Sequence, residues 1–269
     1  MPSLSQHFKS YLKLSPYFYV ISCLLGTLFF SVFSFAESTS TPSSTVPEQN
    51  GGINKEIKNF EAVYKARFRG IGVTAIRKLE TLPNGHQQLS FTADSWLAKL
   101  SETSEFTWVN DSRVQPELYT YTRTGLGRDR KAVLNFDWKQ KKVVNDVENK
   151  PWTMTIPDSA FDKLSYQLQI QSDLINGKEL KPYEIADGGR IKTYEFEITG
   201  EEKISTPAGD FKTIKVKRLH SNDKKRHTFF WLAPAWNYLM VKVEQQDGSQ
   251  SYEIDLNSAT INGKKVTGM

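Results

Sequence analysis

Between Phe60 and Leu256 the chain alternates apolar and polar side chains with a period of two, in short runs closed by turn signals. In the first run Phe60, Ala62, Tyr64, Ala66 and Phe68 interleave with Glu61, Lys65, Arg67 and Arg69. Successive side chains of a strand point to opposite faces, so this pattern describes strands with one face buried and the other wet. Gly70 and Gly72 interrupt it and suggest a bulge or bend. Val73, Ala75 and Leu79 then lead to Pro83-Asn84-Gly85, and Leu89, Phe91 and Ala93 return. Asn-Gly between two alternating runs is a hairpin signal.

The same grammar continues. Phe106 and Trp108 precede a turn at Asn110-Asp111, Leu118 to Thr124 is rich in β-formers, and Val133 to Trp138 reaches the polar turn Lys139 to Lys142 before Val143-Val144. One segment departs from it. Phe161, Leu164 and Leu168 stand at helical spacing after Pro157-Asp158-Ser159, which predicts a helix over about 159–174 capped by Asp158 or Ser159. Strands resume at Tyr183–Ile185, 192–199, 211–219, 228–232, 238–245 and 251–256. Turns fall at Asp187-Gly188-Gly189 and at Gln246-Asp247-Gly248-Ser249. The fold expected is mainly β: a strongly curved antiparallel sheet, an open half-barrel of nine to eleven strands, with one helix packed on its concave side.

The first 36 residues differ in kind. Lys9 and Lys13 precede an uncharged apolar run, Tyr17 to Phe35, that ends in Ser34-Phe35-Ala36. A basic segment, an apolar segment and a small-x-small site are the parts of a secretory signal peptide, so residues 1–36 are expected to be cleaved and the protein to be periplasmic. The alternative is an inner-membrane anchor made of uncleaved residues 17–35, just long enough to span. Val20-Ile21-Ser22-Cys23 loosely resembles a lipobox, but only about five apolar residues precede Cys23, fewer than an ordinary signal's apolar segment. Residues 37–58 read as a disordered Ser/Thr/Pro linker, and residues 59–266 as a single β-rich domain.

Cys23 is the only cysteine. Beyond the signal segment, disulfides, thiol catalysis and Cys-ligated metal centres are excluded. From Glu37 onward 33 basic side chains face 30 acidic ones, near balance for this size. Basic clusters at Arg128–Lys131, Lys139–Lys142 and Lys224–His227 sit beside turns, as solvated hairpin ends or as contacts for anionic polymers or headgroups.

The search for chemistry finds little. His86, His220 and His227 show no His-x-x-His spacing, and no Gly-x-Ser-x-Gly elbow is present. Arg123-Thr124-Gly125-Leu126-Gly127-Arg128 lacks a phosphate-loop lysine. No catalytic residue, metal site or cofactor is expected, and the chain reads as no enzyme. The candidate site is aromatic. Phe106 and Trp108, Tyr119 and Tyr121, and Phe136 and Trp138 are i, i+2 pairs, each on one face of its strand. Such a face is either core or the lining of an apolar groove, and in the functional reading these six residues line a groove for an acyl chain or an extended polymer.

Thr206-Pro207-Ala208-Gly209-Asp210-Phe211-Lys212-Thr213, followed by Phe230-Trp231-Leu232-Ala233-Pro234 and the strand Leu239-Met240-Val241-Lys242-Val243-Glu244, resembles an exported bacterial family, domain of unknown function 3108. The resemblance covers roughly Phe60 to Leu256. It implies a β-rich domain similar to the open half-barrels of periplasmic lipoprotein carriers, and no activity. The expectation is a non-enzymatic carrier or binding protein for a lipid-like or amphipathic ligand. Its partners would be a lipid or an envelope polymer, with transient membrane contact and no nucleic acid. The alternative is a structural or interaction protein of the cell envelope that binds a protein or polymer partner.

Overall fold

A computed structural model describes residues 56–68, 71–125, 127, 129–220, 226–247 and 250–269. The signal segment, the linker up to residue 55, Gly70, Arg128, Lys224-Lys225 and Gly248-Ser249 lie outside the described residues. Each alternating run becomes a strand. β1 (Phe60–Phe68), β2 (Ile71–Thr81), β3 (Gln87–Asp94), β4 (Ala98–Val109), β5 (Arg113–Gly125), β6 (Arg130–Asp137), β7 (Lys142–Val147) and β8 (Lys150–Thr155) form an antiparallel meander. After β9 (Ala160–Phe161) and helix α1 (Ser165–Ile175), a second meander runs through β10 (Tyr183–Asp187), β11 (Arg190–Thr206), β12 (Gly209–Leu219), β13 (Arg226–Ala233), β14 (Leu239–Asp247) and β15 (Gln250–Ile261). β16 (Lys264–Lys265) folds back on β15. β1 joins the halves, pairing with β2 on one side and β15 on the other, with Phe60 opposite Ile261.

The connectivity forces the curvature. β8 and β9 are the two edges of one continuous sheet, yet residues 156–159 alone separate them in sequence. Extended chain from Thr155 to Ala160 reaches about 18 Å, whereas a flat sheet of this width would hold its edges about 67 Å apart. The sheet must therefore curl until its edges face each other, and since they do not hydrogen-bond to each other it remains open. At this seam the Trp152 ring of β8 lies against Gly189 in the β10–β11 turn. A Cβ placed on Gly189 would fall 2.4 Å from the indole, and the residue's φ is +78°. Gly189→Ala is expected to lower the unfolding free energy by about 1–3 kcal/mol in a urea titration. Gly85→Ala, at φ +84° with nothing within 4 Å, should cost less, because only backbone strain is added there.

The structure has sixteen strands among the described residues rather than nine to eleven. β8 was hidden by Pro151, which a central strand would reject; as the sheet edge, β8 tolerates a residue that cannot donate to a ladder. Pro116 sits inside β5 next to a register shift at Glu105/Phe106, another place where proline is tolerated. The helix begins at Ser165, not near 159, because Ala160–Phe161 pairs with β10 first. Its cap is neither Asp158 nor Ser159. Asp162 Oδ1 accepts from the N–H groups of Leu164 (2.7 Å) and Ser165 (2.9 Å), while Ser165 Oγ accepts from the N–H of Asp162 (2.8 Å). Ser104 Oγ of β4 donates to the second Asp162 oxygen at 2.6 Å, which ties the helix entrance to the sheet.

Candidate binding cleft

α1 lies across the concave face, and its buried side is mixed: Tyr166, Leu168, Ile170 and Leu174 share it with Ser165, Gln169, Gln171 and Ser172. Three of the polar members reach backbone groups at one rim. Gln169 Oε1 accepts from the Val114 N–H at 2.8 Å, Ser172 Oγ donates to the Ser112 carbonyl at 2.9 Å, and Gln171 Nε2 donates to the Asn237 carbonyl at 2.7 Å. Asn237 and Tyr238 both hold positive φ, 52° and 55°, turning that carbonyl's loop sharply after a 3-10 turn at Pro234–Trp236.

The six aromatic residues chosen from the sequence occupy β4, β5, β6 and the turn after β6. Phe106 and Tyr119 are fully buried, and Trp108, Tyr121, Phe136 and Trp138 are partly buried against the same core. Phe106 meets Trp108 edge-on at 5.5 Å, Phe136 stacks on Trp138 at 5.7 Å, and the Trp138 indole donates to the Pro116 carbonyl at 2.7 Å. Beside them lies a buried charged cluster. The Tyr119 hydroxyl donates to Glu102 Oε2 at 2.7 Å, and Lys163 Nζ sits 5.9 Å over the Tyr121 ring and 3.0 Å from Asp187 Oδ1. Lys192 holds the other Asp187 oxygen. Burial pushes the Glu102 carboxyl up to about 8, against the pull of Lys163 and the Tyr119 hydroxyl.

Arg77 of β2 is a further charge inside, apart from that cluster. It is 3% exposed, its guanidinium carbon is 5.4 Å from the Phe60 ring, and burial lowers its pKa. Nε and Nη2 find no acceptor among the described residues. Two small clefts meet at this side chain. One, of about 30 Å³, runs between Tyr166 and Ile170 of α1 and Phe230, Leu232 and Met240 of the sheet. The other, of about 20 Å³, is walled by Tyr64, Phe91, Leu164 and Val243. The Tyr64 hydroxyl donates to the Met240 carbonyl at 2.9 Å, and burial pushes its pKa up to about 12. None of the six sequence-chosen aromatics lines either cleft.

The sequence model described as "Protein of unknown function (DUF3108)" matches residues 64–257. The chain belongs to the DUF3108 family. No curated protein matches it. Among solved structures, the DUF3108 domain is similar to a beta-barrel-like protein of domain of unknown function DUF1849 from Brucella abortus. The two share 10% identity over 77% of this chain and 98% of that one, with a TM-score of 0.50, a likeness of fold. A "putative lipoprotein" from Parabacteroides distasonis aligns at 14% identity over 77% of this chain and 96% of that one, with a TM-score of 0.28.

Sequence reasoning missed two of the interior charges of the DUF3108 domain, Arg77 and Glu102, although the signal was present. Val73, Ala75, Arg77 and Leu79 are successive inward positions of β2, and Leu100, Glu102, Ser104 and Phe106 those of β4. A charge where period two demands an apolar residue marks a group that the fold buries for a reason. Of the histidines, His86 pairs with Glu117 at 2.8 Å, His220 meets Thr228 Oγ1 at 3.4 Å, and His227 stacks over Phe229. A third opening of about 340 Å³ lies at the rim, walled by Phe211, Ile214, Pro234, Trp236 and Met269. Among the described residues no helix is long and apolar enough to cross a membrane.

Proposed function

We propose that this DUF3108 protein is a non-enzymatic, exported binding protein that carries a lipid-like or amphipathic ligand between the curved sheet and α1. The observation that carries the reading is the seating of α1. The helix occupies the apolar hollow of an open sheet and is held at one rim by side-chain hydrogen bonds to the Ser112 and Asn237 carbonyls. Water can replace such bonds at a net cost of about 1 kcal/mol each, so this end of the helix can swing outward while the Ser104–Asp162 bond and the Lys163–Asp187 pair hold its entrance. With the helix seated, the clefts are far smaller than the several hundred Å³ that an enclosed ligand needs, so loading requires α1 to shift. The inner aromatics Phe106, Trp108, Tyr119, Tyr121, Phe136 and Trp138 would then form the floor exposed to an acyl chain. The basic signal-peptide architecture of residues 1–36 supports a periplasmic location. The Trp96 side chain, 80% exposed at the β3–β4 tip, suits transient contact with a membrane interface.

Native mass spectrometry of protein purified without detergent from its own envelope, followed by solvent extraction, tests this. A stoichiometric amphiphile is expected, and its occupancy should fall in Trp108→Ala and Trp138→Ala. Ligand-free protein in every preparation, with those variants altered in stability alone, would overturn the carrier reading. A second reading, an envelope interaction protein, is favoured by the 340 Å³ apolar opening at the rim, which a partner's side chain could enter.

A further inference from the structure

We propose that Arg77 is an anchor for the oxyanion of the ligand's head group, a carboxylate or a phosphate. The proposal rests on the amphiphile-binding reading above and names the chemistry of the head. Three observations converge on it. Arg77 is buried inside the sheet, not at its rim. Its two partnerless nitrogens are Nε and Nη2. Those two N–H groups lie on one edge of the planar guanidinium and point the same way, the fork that takes both oxygens of a carboxylate or phosphate in parallel. Two small clefts with largely apolar walls, of about 30 and 20 Å³, open on this side chain. Together they offer room on the scale of a few water molecules, the size of a carboxylate and too little for a tail. The head therefore sits at Arg77, and the tail follows the path that α1 now fills.

The surroundings select for a single negative charge. Tyr64 and Tyr166 flank the guanidinium with phenols whose ionisation burial opposes, and no carboxylate is among the residues lining either cleft. A buried cation with no counter-anion and with Nε and Nη2 unsatisfied costs folding stability even with Tyr64 beside it, so the unliganded domain holds a destabilising group that an anion would satisfy. A neutral amphiphile would leave that cost in place.

The test uses the chain from Glu37 onward with laurate, dodecyl phosphate and 1-dodecanol, each titrated by isothermal calorimetry into wild type, Arg77→Met and Arg77→Lys. Laurate or dodecyl phosphate should bind wild type and lose roughly 10- to 100-fold in affinity in Arg77→Met, the loss of a bidentate charge-assisted pair. Arg77→Lys keeps the charge but loses the fork and should fall between. Which of the two anions binds tighter decides between a carboxylate and a phosphate head. Unliganded Arg77→Met should melt at or above the wild-type temperature, which also shows that it folds. Equal binding of laurate and dodecanol, unchanged in Arg77→Met, would overturn the anchor and leave the amphiphile-binding reading standing. No binding of any of the three probes to wild type would overturn both.

Discussion

Asp187→Asn is expected to destabilise the fold by about 3–5 kcal/mol, the usual cost of removing one partner from a buried ion pair. Asp187 is 2% exposed and takes Lys163 on one oxygen and Lys192 on the other. Asparagine leaves two mostly buried ammonium groups facing each other without an anion. The loss should be mechanical as well. Lys163 sits at the entrance of α1 and over the Tyr121 ring of β5, while Asp187 and Lys192 belong to the β10–β11 hairpin. The cluster therefore ties the two halves across the seam. Hydrogen exchange should show β8, β9 and β10 opening before β1 and β15 in the variant. A urea midpoint within error of wild type would show that the lysines find other acceptors.

The stability of the wild type should decline with rising pH through the neutral range, and Glu102→Gln should remove much of that slope. The folded carboxyl titrates near 8, above the 4.5 of an unperturbed glutamate, because it is wholly buried with Oε1 unpartnered among the described residues. Between those values the folded chain keeps a proton that the unfolded chain has released. The Glu102 contribution is thus full below about pH 4.5, falls by about 1.4 kcal/mol per pH unit, and is flat above about pH 8, a total of up to about 5 kcal/mol. Glutamine keeps an acceptor for the Tyr119 hydroxyl and carries no titrating proton. Chemical denaturation at pH 5, 6.5 and 8 should find the variant more stable than wild type at pH 8 and similar at pH 5. Parallel pH profiles for the two proteins would refute the assignment.

Most of the architecture was legible because period two is a local signal. Phe60–Phe68, the Asn84-Gly85 hairpin and the Pro207-Ala208 turn need only neighbouring residues to declare themselves. What failed to read was set at long range. Lys150-Pro151-Trp152 becomes a strand because it lies at an edge, and Ala160–Phe161 leaves the helical pattern because β10 is there to pair with it. The site was less legible than the fold. Period two placed the six aromatics on common strand faces, but it could not say that a helix would lie over that hollow or that Arg77 would be enclosed. An inward arginine is visible in the pattern of β2. That its Nε and Nη2 are left without an acceptor is visible only once Tyr64, Tyr166 and Met240 have been brought around it.

The position of β1 has a kinetic consequence. Its second neighbour, β15, lies some two hundred residues further along the chain, as the pairing of Phe60 with Ile261 records. Until that late strand arrives, one long side of β1 presents unpaired N–H and C=O groups. Closing so large a loop is entropically slow, and open edges of this kind capture other chains. The rate at which β15 docks therefore sets how long each new molecule stays vulnerable to sticking to its neighbours.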